Sequence, residues 1–147
     1  MIKGDKYYFA ASKEIKKEKP NKKLVLNLLN KAADLNNSKA QYAIGTWYLH
    51  GECVKKNAVT AVKYFLEAIK GNNKNAFYDL AVCCEKGVGI KKNYKGAFKY
   101  YLNAALLGDK QSLYEVGRCY YYGIGISKNK AVASIWLEHA KLNGIVD

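Results

Sequence analysis

This sequence is short of the residues that linkers, membrane spans and most catalytic sites need. It has one proline and no run of serine and glycine, which excludes a flexible linker between domains. No apolar stretch approaches the ~20 residues of a membrane-spanning helix, so no membrane insertion is expected. The first residues, MIKGDKYYFAASKEIKKEKP, carry charge throughout and no apolar core of signal-peptide length, so export is not expected. The two histidines, His50 and His139, have no serine or cysteine partner fixed by a motif, and the acids form no paired spacing. The chain therefore reads as a non-enzyme.

Acidic residues are scarce too. Twelve Asp and Glu face 25 Lys and Arg, a net charge of +13, and Arg118 is the one arginine. The excess is uneven, with ten lysines against four acids in residues 1–39 and four basic residues against three acids in 112–147. A field of that sign favours acidic protein surfaces or nucleic acid. The abundance of Lys, Asn, Ile and Tyr also fits an AT-rich genome, which inflates lysine without any binding role.

The four cysteines, Cys53, Cys83, Cys84 and Cys119, do not recur as a pair at a fixed interval. Reduced thiols in a cytoplasm are expected, with no disulfide framework. His50 and Cys53 are three apart but lack the further ligands zinc needs, so neither metal nor cofactor is expected. Cys83 and Cys119 share a register position with Trp47, as packing residues do.

What the chain has in quantity is periodicity. Sliding it by 36 residues lays Ala40 on Ala76 on Ser112, and Tyr42 on Tyr78 on Tyr114. The same slide stacks Gly51, Gly87 and Gly123, then Asn57, Asn93 and Asn129, then Ala61, Ala97 and Ala133, then Ala68, Ala104 and Ala140. A fixed period in this range marks a stacked helical-repeat array. Each unit reads helix A, turn, helix B, with the first as 40–50 and 58–70. The glycines at 51, 87 and 123 end helix A in a left-handed cap, and the asparagines cap helix B. Asn36, Asn72, Gly108 and Gly144 stop helix B in the same way. The small residue at 45, 81 and 117 lets the neighbouring helix approach closely.

Residues 4–39 form a degenerate first unit. Tyr8, Ala11 and Ile15 make an apolar stripe opposite Lys13, Glu14, Lys16, Lys17 and Glu18, and Pro20 is expected to stop this helix. Asn21 then caps a helix carrying Leu24, Val25, Leu28, Leu29 and Ala32. The expected organisation is one domain, 1–147, with a capping unit 4–39 and repeats 40–75, 76–111 and 112–147.

The most regular unit is Tyr78, Ala81, Gly87-Val88-Gly89, Asn93, Ala97, Tyr100-Tyr101 and Ala104-Ala105. This pattern resembles the Sel-one-like repeat (SLR), a relative of the tetratricopeptide repeat. The resemblance covers 40–147 well and 4–39 only in its second helix. Cys53 stands where a second turn glycine is usual, and Asn replaces the Asp usual at the cap. The resemblance implies an all-α, right-handed superhelical solenoid, and a cytoplasmic adaptor or scaffold for a protein partner. For a small member it also brings to mind an immunity protein that neutralises a toxin. Gly87-Val88-Gly89 and Gly123-Ile124-Gly125 then read as turns, since a dinucleotide fingerprint needs a strand before it and a third glycine.

Two surfaces are candidates for binding. In such arrays helix A lines the concave face, and there Thr46, Trp47, His50, Asp79, Lys86, Glu115, Arg118, Tyr121 and Tyr122 vary while the scaffold repeats. These are the expected contacts for a partner with an acidic surface. The alternative is the turn ladder of Lys55, Lys56, Lys91, Lys92, Lys128 and Lys130, which would follow RNA or another polyanion; solvated lysine is its plain reading. The last helix B is expected to present apolar surface, with Trp136 and Leu137 available for self-association.

Overall fold

The computed structural model describes residues 4–145. It divides into two compact units, Met1–Asn73 and Lys74–Asp147. Among the described residues there are eight helices and no strand.

The first unit holds α1 (Asp5–Ile15), α2 (Lys22–Asp34), α3 (Ser38–His50) and α4 (Ala58–Ile69). The second holds α5 (Lys74–Lys86), α6 (Tyr94–Leu106), α7 (Lys110–Tyr122) and α8 (Lys130–Leu142). Odd-numbered helices are the A helices and even-numbered ones the B helices, and each pair packs side by side. None is long and apolar enough to cross a membrane.

The punctuation expected from the sequence is where it was placed. Asn21, Asn57, Asn93 and Asn129 each accept a hydrogen bond from the backbone N–H three residues on, at 2.9–3.1 Å. Each cap contributes about 1 kcal/mol. Gly51, Gly87 and Gly123 take φ of +73°, +71° and +75°, and Asn36 and Asn72 take +64° and +56°. Cys53 shares the left-handed conformation of its register partners Gly89 and Gly125, at φ +59°.

Small residues set the packing. Ala61, Ala97 and Ala133 are completely buried, as are Ala68 and Ala104. A Cβ at Gly45 would lie 2.5 Å from the Phe65 ring, and one at Gly117 would lie 2.8 Å from Leu137. The close approach of helix B is therefore made by the side chain at 65 and 137, which meets the small residue across the pair. Around these contacts the first unit buries Val25, Leu29, Ile44 and Phe65, and the second buries Leu80, Phe98, Tyr101 and Val116. Cys83 and Cys119 belong to that second core, 3% and 0% exposed.

Three expectations need correction. Helix A begins two residues earlier than read, because Asn37 caps it at Ala40 N (2.9 Å) and Asp109 caps α7 at Ser112 N (3.0 Å). Pro20 does not stop α1, which ends at Ile15. Ile15 is 41% exposed while Glu14, read on the polar face, is buried. The Glu14 carboxylate accepts from Asn21 N–H at 3.0 Å and pairs with Lys17 at 2.7 Å, so it organises the link to α2. The Lys17 contact first, then the Asn21 N–H, hold its pKa below the ordinary carboxylate value. Leu24 is 40% exposed on the first turn of α2.

Candidate partner-binding face

The candidate contacts lie on α3 in the first unit and on α5 and α7 in the second. On α3, the Thr46 hydroxyl donates to the Ala43 carbonyl at 2.7 Å, which satisfies it within its own helix. Trp47 is half-buried against the core of α2 and α3, and His50 is exposed at the helix C-terminus. Of the three candidates on α3, His50 is the exposed one.

On α5 and α7 the structure ties together residues that the sequence left separate. Arg118 donates to both oxygens of Glu85, Nη1 to Oε2 at 3.0 Å and Nη2 to Oε1 at 2.7 Å. Its Nε donates to Glu115 Oε2 at 2.7 Å. The Tyr101 hydroxyl also donates to Glu85, at 3.0 Å. The Arg118 side chain is 24% exposed and that of Glu85 is 20% exposed, so water screens the pair only partly.

The protonation states follow. Burial would raise the pKa of Glu85, but the hydrogen bonds and charge of Arg118 outweigh it and hold the carboxyl low. Burial would lower the pKa of Arg118, but its bonds to Glu85 and Glu115 raise it. Burial and the neighbouring Glu85 charge push the Tyr101 hydroxyl up, so it stays a donor. The arrangement is a charge-assisted clamp holding α7 onto α5, with Tyr101 tying α6 to the same carboxylate. Arg118 and Glu115 are both half-buried, the one guanidinium being shared between two carboxylates, and Asp79 is half-buried on α5.

Glu85 was absent from the sequence reading. Its signal was a break in register: positions 49, 85 and 121 hold Leu, Glu and Tyr, and positions 46, 82 and 118 hold Thr, Val and Arg. A lone acid and a lone arginine at otherwise apolar or neutral positions of successive A helices mark a salt bridge.

Beyond the clamp, the exposed candidates are Lys86, Tyr121 and Tyr122, the last two 38% and 67% exposed. Their rings meet edge to face at 4.9 Å. With Tyr114, Leu137 and Glu138 they line a groove of about 580 Å³ along α7 and α8. Its lining matches, one repeat on, the residues Tyr78, Glu85 and Tyr101 that seat α7 against α5 and α6. A second groove, of about 770 Å³, runs beside α8 and is lined by Leu106, Ile135, Trp136 and Leu142. Leu106, Ile135 and Leu142 are 72%, 70% and 77% exposed, whereas Trp136 and Leu137 are half-buried.

The turn lysines form the other candidate set, and Lys130 Nζ lies 5.2 Å from the Tyr121 ring centre. Lys55 and Lys56 are exposed in the first unit, and Lys91, Lys92, Lys128 and Lys130 in the second. The buried thiols are poor nucleophiles: burial raises the pKa of Cys83 to about 11 and that of Cys119 to about 12.

Comparison with known proteins places this arrangement. The family signature described as "Sel1 repeat" matches residues 18–37, 38–73, 76–109 and 110–144. A comparison with curated proteins finds no match. Among solved structures, the chain is similar to a Sel1 repeat protein from Oxalobacter formigenes, with 27% identity and a TM-score of 0.91 over 97% of this chain. It is also similar to c5321, a protective antigen of uropathogenic Escherichia coli displaying an SLR fold, with 21% identity and a TM-score of 0.91 over 98% of this chain. The cysteine rich protein B of Helicobacter pylori matches at 27% identity and a TM-score of 0.66, over 75% of this chain and 90% of its own. The chain spans 60% and 31% of the lengths of the first two.

Proposed function

The chain belongs to the Sel1 repeat family, an all-α fold of helical repeats, and we propose that it is an adaptor that binds one protein partner through exposed positions of its A helices. Sel1 repeats generally mediate protein–protein interaction and are typically non-catalytic, and this reading commits the general role to one surface. The observation that carries it is the contrast between two sets of register positions. The helix-B alanines at 61, 97 and 133 are identical and completely buried, whereas positions 50, 86 and 122 are exposed and hold His, Lys and Tyr. A scaffold that repeats while its exposed ends differ suits recognition of an asymmetric protein surface.

The aromatic side chains there are the natural anchors. Tyr121 and Tyr122 offer large area at little entropic cost, and such residues dominate interface energies. The Arg118–Glu85–Glu115 clamp sets one guanidinium against two carboxylates, so it supports the face rather than supplying positive charge to it. The +13 charge acts at longer range and speeds encounter with a partner that has an acidic surface.

The test is affinity capture of the tagged protein from its native lysate, split into nuclease-treated and untreated halves. One stoichiometric protein retained in both halves is the expected result. Its loss with Trp47→Ala, Lys86→Glu and Tyr122→Ala combined, and its retention with Lys63→Glu and Lys99→Glu on the B helices, places it on the A-helix face. Equal retention by both variants rejects that face.

A further inference from the structure

The second unit carries a lysine-rich edge that shares only Tyr121 and Tyr122 with the adaptor reading. The second of its A–B turns lies against the start of α6, because Gly125 sits on the backbone of Tyr94, where a Cβ would overlap the Tyr94 carbonyl. This contact brings residues 87–95 and 122–130 to one edge. Neither residues 86–108 nor residues 116–137 contain a single acid. The edge presents Lys91, Lys92, Lys95, Lys128 and Lys130, all exposed, and no ion pair among the described residues engages any of them.

Two further features separate this edge from an ordinary solvated one. The stems of the register-matched lysines are seated beside the glycines that end the A helices, Lys92 Cβ 3.4 Å from a Cβ built on Gly87 and Lys128 Cβ 3.5 Å from one on Gly123. Exposed aromatic rings stand among the charges. Tyr94 is 48% exposed with Lys92 Nζ 5.3 Å from its ring centre. Tyr122 is 67% exposed and meets Tyr121 edge to face, and the Tyr121 ring centre lies 5.2 Å from Lys130 Nζ. Tyr122 is three residues before Gly125, at most ~11 Å of chain away from the Tyr94 contact.

We propose that this edge binds single-stranded nucleic acid, with Lys91, Lys92, Lys128 and Lys130 on the phosphates and Tyr94 and Tyr122 as stacking platforms for bases. Lysines tracking a backbone beside rings that accept any base are the ingredients of sequence-tolerant single-strand binding. A duplex keeps its bases stacked and leaves the two tyrosines without a partner. The one arginine, Arg118, is held by Glu85 and Glu115, so bidentate reading of base edges is absent from the edge and binding tolerates base composition.

The experiment is fluorescence anisotropy of the full chain with a labelled oligouridylate of about a dozen nucleotides, over a salt series. Four lysine–phosphate contacts give a slope of log K against log salt of about −3. Lys92→Gln with Lys128→Gln halves that slope. Tyr94→Leu and Tyr122→Leu each lower affinity by roughly tenfold and leave the slope unchanged. Lys74→Gln with Lys110→Gln, the same charge change at the far end of α5 and α7, alters affinity by less than twofold. Circular dichroism of every variant checks the fold, and only variants with the parent spectrum are compared. Equal losses from the two lysine pairs would overturn the proposal. So would competition by polyglutamate of matched charge as effective as by RNA, with the tyrosine variants unaffected, since that assigns the edge to an acidic protein.

Discussion

Alanine at position 45 should destabilise the protein even though alanine occupies the same register position, 81, in the next unit. A Cβ at 45 falls 2.5 Å from Phe65 Cε1 and 2.7 Å from Cδ1, with the Ala61 carbonyl 3.3 Å away. Phe65 is completely buried, so its ring has nowhere to turn. Overpacking of this severity costs about 3 kcal/mol. Replacing Gly by Ala inside a helix returns about 1 kcal/mol. The net loss is about 2 kcal/mol, which lowers the Tm of a chain this size by roughly 6 °C. Thermal and urea unfolding followed by far-ultraviolet circular dichroism measure it. Phe65→Leu makes room for the new methyl, so the double variant should recover at least ~1 kcal/mol relative to the sum of the single changes. Ala81→Gly, at the equivalent position facing Tyr101, should lose about 1 kcal/mol from propensity alone. A Gly45→Ala protein as stable as the parent would refute this account of how the pairs pack.

Three further outcomes are expected. Because Arg118 holds Glu85 below the ordinary carboxyl pKa of about 4.3, the stability from that ionisation is complete above this value and is lost as pH falls through the lowered one. Arg118→Met should therefore cost about 2–3 kcal/mol at neutral pH and markedly less near pH 3; an unchanged difference would show that the clamp contributes no charge energy. Thiol titration of the native protein should label Cys53 quickly and leave Cys83, Cys84 and Cys119 until unfolding, since Cys53 is exposed and the others are buried. Gly125→Ala should cost more than 3 kcal/mol, because it combines a φ of +71° with a clash against the Tyr94 carbonyl, whereas Gly108→Ala, with nothing nearby, should cost about 1 kcal/mol.

The parts of the fold that were legible in the sequence are those set by local chemistry. A left-handed backbone needs Gly or Asn, an N-cap needs a short acceptor, and both recur every 36 residues, so Gly51, Asn57 and Asn72 announce their roles. The first unit misled where a local pattern competed with a tertiary contact. Ile15 fitted the apolar spacing, but the neighbouring Glu14 found two partners in the 16–21 link and took the buried place instead. Asn37 was passed over as a cap because the repeat register was counted from Ala40, yet its side chain both accepts from Ala40 N and donates to Asp5 at 2.9 Å. The candidate face was legible only as a set of variable positions. Which of them a partner can use depends on Arg118 closing on Glu85, a contact 33 residues long that no spacing rule for one helix contains.

The central claim is that a protein partner binds the A-helix face, and site-specific photocrosslinking in living cells tests it most directly. Benzoylphenylalanine would be placed in turn at His50, Lys86 and Tyr122, and at the exposed helix-B positions Lys63, Lys99 and Ile135 of the same repeats. The account predicts one adduct of a single mass from the first three positions and none from the second three. Adducts from 63, 99 and 135 alone would contradict it and move the binding surface to the B helices.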